Sequence, residues 1–173
     1  MVDSSGGKTV DRNGNATISN HECCRLYFMK KLLIVESPTK ARTISKYLGK
    51  DYEVIATVGH FRDLPQNKMG VNLKDFEVDY VIDPKKKEVV SKLANLSQKA
   101  DKVYLASDPD REGEAIAWHV EWLLTQGQKN KIKPEKIERV TFHEITKEAV
   151  EEALKKAGKI DLDLVNAQQG RRV

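Results

Sequence analysis

Four carboxylates lie within seven residues near the middle of the chain, directly after the apolar run at residues 103–106. They are Asp108, Asp110, Glu112 and Glu114. Two unit charges about 4 Å apart repel by about 4 kcal/mol at protein-surface dielectric, so a fold that directs several of them to one point needs a cation there. Oxygen-only ligands suit a hard divalent ion, and magnesium combines one or two carboxylates with waters and substrate phosphates. The cluster therefore predicts a magnesium site that serves phosphate chemistry.

A solvated surface or a calcium loop would also account for an acidic cluster of this kind. Because 32% of the chain is charged, the four acids could be solvated surface, as most such clusters are. A calcium loop is suggested by Asp108, Asp110 and Glu112, which take its first, third and fifth places. That match fails at the twelfth place, where His119 stands instead of a bidentate glutamate.

A second acid in a matching position favours the magnesium site. Glu36 directly follows the apolar run at residues 31–35, and a helix is expected after it, with Ser37 as its N-cap and Pro38 in its first turn. Asp108 repeats this order of strand, acid and helix. Sites in parallel α/β sheets form outside the carboxyl ends of the strands, where the strand order reverses. We therefore expect Glu36 and Asp108 to meet at one edge of the sheet.

The rest of the pattern alternates strands with helices, which predicts an α/β fold. Strands are expected at residues 31–35, 53–58, 76–82, 102–106 and 137–142. One further helix is expected to begin near Pro84 and another to span residues 147–157, with Thr146 as its cap and Gly158 as its stop. Asp161 is expected to cap one more helix.

Five motifs, two of which contain these acids, occur in a fixed order along the chain. They are VESPTKA at 35–41, GHFRDLP at 59–65, DPDREGEAIAWH at 108–119, FHEIT at 142–146 and NAQQGRR at 166–172. Together they resemble the N-terminal part of a bacterial type IA DNA topoisomerase. The resemblance implies a Toprim fold over residues 29–158, a small parallel-rich sheet flanked by helices on both faces. Residues 159–173 would then be the truncated start of the following helical domain.

The resemblance also implies what the acids would do. Members of this family relax negatively supercoiled DNA: a tyrosine cleaves one strand, another strand passes through the break, and the break is resealed. By resemblance, Glu36 would exchange a proton with the 3′-oxygen at the scissile phosphate, and such work is typically worth about 10²–10⁴-fold. Glu36, Asp108, Asp110 and Glu112 would hold Mg²⁺. Arg111 would either contact phosphate or hold its acidic neighbours in place.

Three residues are implied as DNA contacts. Arg171 and Arg172 match a motif whose arginines lie against the DNA backbone in the family, and His60 belongs to a Gly-His motif near the DNA-facing side. The net charge of +4 permits nucleic-acid binding without proving it. The implied partners are a single-stranded segment of negatively supercoiled DNA and the remaining domains of the same enzyme, which is expected to be a monomer.

The sequence also indicates what this chain lacks. None of its five tyrosines stands in a context that resembles the family's catalytic tyrosine motif, so we expect the isolated chain to be inactive in cleavage. The first 28 residues are polar and rich in Gly, Ser and Asn, which predicts a disordered extension. Two cysteines, the lack of a signal-like segment and the lack of an apolar run of about 20 residues predict a cytoplasmic, nucleoid-associated protein without a membrane partner.

Two rival functions share part of the pattern. A primase or a nuclease with a Toprim fold would have the same glutamate and Asp-x-Asp geometry, but the neighbouring motifs favour a topoisomerase. A non-catalytic module that binds DNA or a partner protein is the second alternative.

Overall fold

The computed structural model describes residues 9–10, 16–17, 30–65, 70–72, 78–128 and 131–172. The strands within these ranges are β1 Thr9–Val10, β2 Ala16–Thr17, β3 Lys30–Val35, β4 Tyr52–Ala56, β5 Arg62–Asp63, β6 Val81–Ile82, β7 Ala100–Ser107 and β8 Ile137–Thr141. The α-helices are α1 Pro38–Tyr47, α2 Lys87–Lys99, α3 Arg111–Thr125, α4 Lys147–Lys155 and α5 Leu162–Arg172. Short 3-10 turns at Pro84–Lys86 and Pro134–Lys136 precede α2 and β8.

Four parallel strands form the main sheet in the order β4-β3-β7-β8. The chain leaves β3 toward β4 on one side and leaves β7 toward β8 on the other, so the strand order reverses between β3 and β7. In open α/β sheets, this reversal opens a crevice outside the carboxyl ends of the two strands. The predicted parallel-rich α/β fold is confirmed, and its crevice lies directly after Val35 and Ser107.

Helices cover both faces of the main sheet. Because neighbouring residues of a strand point to opposite faces, the continuous apolar runs of β3 and β7 are buried on both sides. Ile34 and Leu105 pack beneath α2 and α3, whereas Leu33 and Tyr104 pack beneath α1 and α4. Full burial of one such aliphatic side chain contributes about 1.5–3 kcal/mol, so the two central strands are held firmly from both sides.

Three predicted helix caps are confirmed. Ser37 Oγ accepts a hydrogen bond from Lys40 N at 3.2 Å, and Thr146 Oγ1 accepts one from Ala149 N at 3.3 Å. Asp161 Oδ1 accepts from the backbone N–H of Asp163 at 2.9 Å at the start of α5. Each cap of this kind typically contributes about 1 kcal/mol, because it satisfies a backbone N–H that the helix itself leaves unpaired.

Two predicted strands differ from the structure. The strand predicted over 53–58 ends at Ala56, because Val58 and Gly59 take left-handed backbone conformations that turn the chain. In the segment predicted over 76–82, residues 76–77 lie outside the described residues, and the strand β6 is confined to Val81–Ile82. Strand β6 pairs antiparallel with β5 outside the main sheet. Because β5 is only two residues long, the pairing extends over two residues.

The first 28 residues are described only at β1 and β2, which pair antiparallel. Apart from those strands, the predicted disordered extension lies outside the described residues, and the proposed domain limits stay a prediction. Among the described residues, no helix has the length and apolar character needed to cross a bilayer.

Candidate acidic active site

The carboxylates of Glu36 and Asp108 converge at the crevice between β3 and β7. Lys40 Nζ donates a hydrogen bond to Asp108 Oδ1 at 2.7 Å and a second, short one to Glu36 Oε1. The strand register places Val35 beside Ala106, so the two strands end within one residue of each other. The predicted meeting of the two acids is therefore confirmed, and a cation lies between them.

Sequence reasoning did not single out Lys40, the residue that supplies this cation. It lies in the first turn of α1, four residues after Glu36, which directly precedes the N-cap Ser37. That spacing is the signal from which the pair could have been predicted. Burial lowers the pKa of the Lys40 ammonium, but the hydrogen bonds and charges of Asp108 and Glu36 outweigh that effect and raise the pKa above its ordinary value. Lys40 is therefore positively charged at neutral pH.

The other two predicted ligands have different partners. Asp110 caps α3, because its Oδ1 accepts a hydrogen bond from Gly113 N at 2.6 Å. Glu112 is exposed, and its Oε1 lies 3.0 Å from His60 Nε2. Within the described residues, no group of three or more His, Cys, Asp or Glu side chains is arranged to hold a metal ion. Of the four predicted magnesium ligands, Glu36 and Asp108 are thus the two whose carboxylates contact the same group, the ammonium of Lys40.

Glu114, the fourth acid of the cluster, does not join the other three. Its side chain and that of Arg139 are each 3% exposed, and the two form an ion pair of 2.8 Å. Arg139 also donates to the main-chain carbonyls of Ser107 at 3.1 Å and Asp108 at 3.0 Å. Arg139 therefore neutralises Glu114 inside the fold, which leaves Asp108, Asp110 and Glu112 as the acids of the cluster that are predicted to hold the ion.

The predicted arginines lie on two helices that pack against each other. Arg111 is exposed at the first residue of α3, and Arg171 is exposed near the end of α5. Arg172 ends α5, and its side chain lies outside the described part of the structure. Helix α5 packs against α3, where Val165 is buried, and this contact fixes the helix that carries Arg171.

Comparison with known proteins agrees with this architecture. The model of the Toprim domain family matches residues 31–145, which is well over half of the chain. The chain belongs to the Toprim family. A solved structure described as full-length topoisomerase I from Thermotoga maritima, in a monoclinic crystal form, matches with 45% sequence identity and a TM-score of 0.71. The match covers 82% of this chain and 23% of that one, so this Toprim domain corresponds to a bacterial topoisomerase I over less than a quarter of the relative's length.

The loop that follows β4 brings a strained residue to the site of this Toprim domain. Val58 has a φ of 60° and its side chain is 45% exposed. A left-handed conformation is a genuine outlier for a β-branched residue. Lys86 Nζ donates to the carbonyl of Val58 at 2.6 Å, and Gly59 N donates to the carbonyl of Glu36 at 3.0 Å. The loop is thus tied to the backbone of an acid in the site.

The donor set of the Toprim site fits a magnesium ion. Carboxylate oxygens are the protein ligands that Mg²⁺ prefers, and it commonly takes only one or two of them. Glu36 and Asp108 already share one positive group, the ammonium of Lys40. The two carboxylates therefore already hold a positive group between them in this crevice.

Proposed function

We propose that this chain is the magnesium-dependent Toprim part of a type IA DNA topoisomerase, which relaxes negatively supercoiled DNA by cleaving and religating one strand. The observation that carries the proposal is the convergence of Glu36 and Asp108 on the ammonium of Lys40. Membership of the Toprim family and the likeness to a bacterial topoisomerase I support it.

Glu36 would act on the proton of the 3′-oxygen. Its carboxylate takes that proton when the 3′-oxygen attacks during religation and returns it during cleavage, as a positioned general acid and base. Lys40 brings N–H donors to the same point, so that a backbone phosphate arriving in the crevice meets a cation beside the two carboxylates. Arg111, exposed next to the acids, would either bind phosphate or hold its acidic neighbours.

Magnesium would be held by Glu36, Asp108, Asp110 and Glu112, and when bound it orients the DNA ends and screens their charge during religation. Glu36 and Asp108 supply the part of this site that is already assembled. Asp110 accepts from Gly113 N and Glu112 contacts His60 in the structure, so these two acids lie at the start of α3, beside Asp108 in the chain.

Three residues would contact the DNA backbone. His60 lies against Glu112 and so borders the acids directly. Arg171 and Arg172 lie at the end of α5, where their positive charges would bind phosphates at a distance from the chemistry. The nucleophilic tyrosine would come from another domain of the same enzyme, in keeping with the small share of the relative's length that this chain covers.

A magnesium titration tests the proposal on the purified chain. We expect millimolar Mg²⁺ to shift the backbone amide resonances of Glu36 and of residues 108–112 in a two-dimensional NMR spectrum. Asp108→Asn should abolish this response, because it removes one of the two assembled ligands. Asp101→Asn is the matched control, since Asp101 is an exposed acid at the other end of β7. A response spread evenly over surface acids, or one that survives in Asp108→Asn, would contradict the site.

A further inference from the structure

A buried carboxylate connects the acid-bearing segment to the beginning of α5. This segment, residues 108–112, includes the first two residues of α3 and is here called the acid loop. Glu114 accepts at both of its oxygens. Oε2 accepts from Arg139 Nε at 2.8 Å, and Oε1 accepts from the backbone N–H of Asp161 at 2.7 Å. Because Glu114 and Arg139 are almost fully buried, losing either partner would leave an uncompensated charge inside the fold, and the contact is held in the folded state.

Arg139 carries the connection on to the acid loop. Its Nη2 donates to the carbonyl of Asp108 at 3.0 Å, and its Nη1 donates to the carbonyls of Ser107 at 3.1 Å and Leu105 at 3.0 Å. The guanidinium is a rigid planar fork, so a carboxylate that fixes one edge of the plane also fixes the directions of the other donors. Glu114 thereby determines how Arg139 meets the carbonyl of Asp108.

The opposite oxygen of Glu114 holds a different part of the molecule. Asp161 precedes α5 and caps it, and the carbonyl of Asp161 accepts from Val165 N at 3.2 Å in the first turn of that helix. A shift of Asp161 must therefore move the start of the helix that carries Arg171.

We propose that Glu114 is a positioning residue that couples the acid loop to α5, with Arg139 as the intermediate on one side and the Asp161 amide on the other. A backbone phosphate drawn to α5 and a cation drawn to the acid loop would then favour the same arrangement. This inference rests on the proposed function for the roles of the acid loop in magnesium binding and of α5 in DNA binding. Its contacts and its test involve neither magnesium nor DNA, so the coupling and the proposed function can fail separately.

Glu114→Gln is the direct test. A glutamine amide has one acceptor oxygen and one NH₂ donor group, so it cannot accept at both of the positions that the two carboxylate oxygens occupy, one facing Arg139 and the other the Asp161 N–H. We expect hydrogen exchange at the Val165 amide to become about tenfold faster relative to Leu33 in the central strand, a size typical of coupled contacts. The backbone resonances of Asp108 should shift at the same time. A uniform loss of protection across the fold, with unchanged Asp108 resonances, would show that Glu114 only supports packing.

A second pair of variants answers the question if Glu114→Gln does not fold. Asp161→Pro removes both the helix cap and the backbone N–H, whereas Asp161→Ala removes the cap alone. We expect the proline variant, and not the alanine variant, to shift the resonances of residues 108–112 as well as those of α5. If both variants change α5 alone, the acid loop does not respond to Asp161 and the coupling is refuted.

Discussion

Lys40 Nζ lies 2.7 Å from Asp108 Oδ1, although Lys40 belongs to the strand–helix unit of β3 and Asp108 to that of β7. This ion pair joins the two units at the point where the strand order reverses. It also means that the crevice supplies its own cation, and that an incoming divalent ion meets a positive charge already in place. If magnesium binds as proposed, Lys40 would compete with it for the oxygens of Glu36 and Asp108.

Replacing this lysine should strengthen magnesium binding to the isolated chain. In Lys40→Met the positive charge is lost while most of the aliphatic chain remains. Removing one unit charge about 4 Å from the ion is worth about 1–4 kcal/mol, so we expect a gain in affinity of about tenfold. Titration followed at the Glu36 amide measures this affinity. Lys46→Met, on the exposed face of the same helix, should leave it unchanged. Weaker binding in Lys40→Met would show instead that Lys40 organises the ligands.

Gly113 is required by the geometry of the acid loop. A Cβ at this position would lie 2.3 Å from the carbonyl oxygen of Asp108 and 3.1 Å from Asp110 Oδ1. Gly113→Ala should therefore displace the acid loop, lower the free energy of unfolding by about 1–3 kcal/mol and remove the magnesium response. Urea unfolding and the NMR titration measure the two effects. The control is Gly170→Ala in α5, where nothing lies within 4 Å and alanine should stabilise the helix by about 0.5–1 kcal/mol.

Local patterns in the sequence were sufficient to predict the framework of the site. An apolar strand, an acid and a capped helix occur twice, and the geometry of parallel sheets then brings Glu36 and Asp108 together. The partner of each clustered acid could not be predicted in the same way. Nothing in the spacing of the four clustered acids shows that Glu114 is the buried one, because its partner Arg139 comes from β8, a strand distant in sequence.

Of the strand predicted over 76–82, only Val81–Ile82 is a strand within the described residues. Alternating apolar residues form a strand only if another strand is available to pair with them, and β5, the partner of β6, is two residues long.

The early end of β4 could not be predicted from the local sequence. Valine normally favours extended structure, yet Val58 is left-handed, and tertiary contacts such as the bond from Lys86 hold it there.

Partial burial of Glu121 on α3 should make the stability of the fold depend on pH. Desolvation raises the pKa of this carboxyl group, so the folded state binds its proton more tightly than the unfolded state does. Ionisation of the Glu121 carboxyl therefore lowers the free energy of unfolding. This loss of stability is absent below the unfolded glutamate pKa of about 4.3 and is complete once the pH exceeds the pKa of Glu121 in the folded state. Glu121→Gln should therefore be more stable than the parent chain at pH 7, with no difference near pH 4. Urea unfolding across this range measures it, and the exposed Glu144→Gln should show no such trend.

Relief of strain at Val58 should stabilise the fold and loosen the site. A left-handed conformation costs a residue with a Cβ about 1–2 kcal/mol, and glycine avoids this cost. The greater conformational entropy of glycine in the unfolded chain opposes that benefit by about 0.5–1 kcal/mol, so we expect Val58→Gly to raise the free energy of unfolding by about 0.5–1 kcal/mol. Strained residues persist where neighbouring contacts impose them, here the bonds that tie the loop to Lys86 and Glu36. We therefore also expect faster hydrogen exchange at Gly59 and a weaker contact between His60 and Glu112. Val81→Gly is the matched control, because Val81 is 47% exposed on a strand with ordinary backbone geometry and should lose stability. A loss of stability in both variants would mean that the left-handed turn carries no local strain.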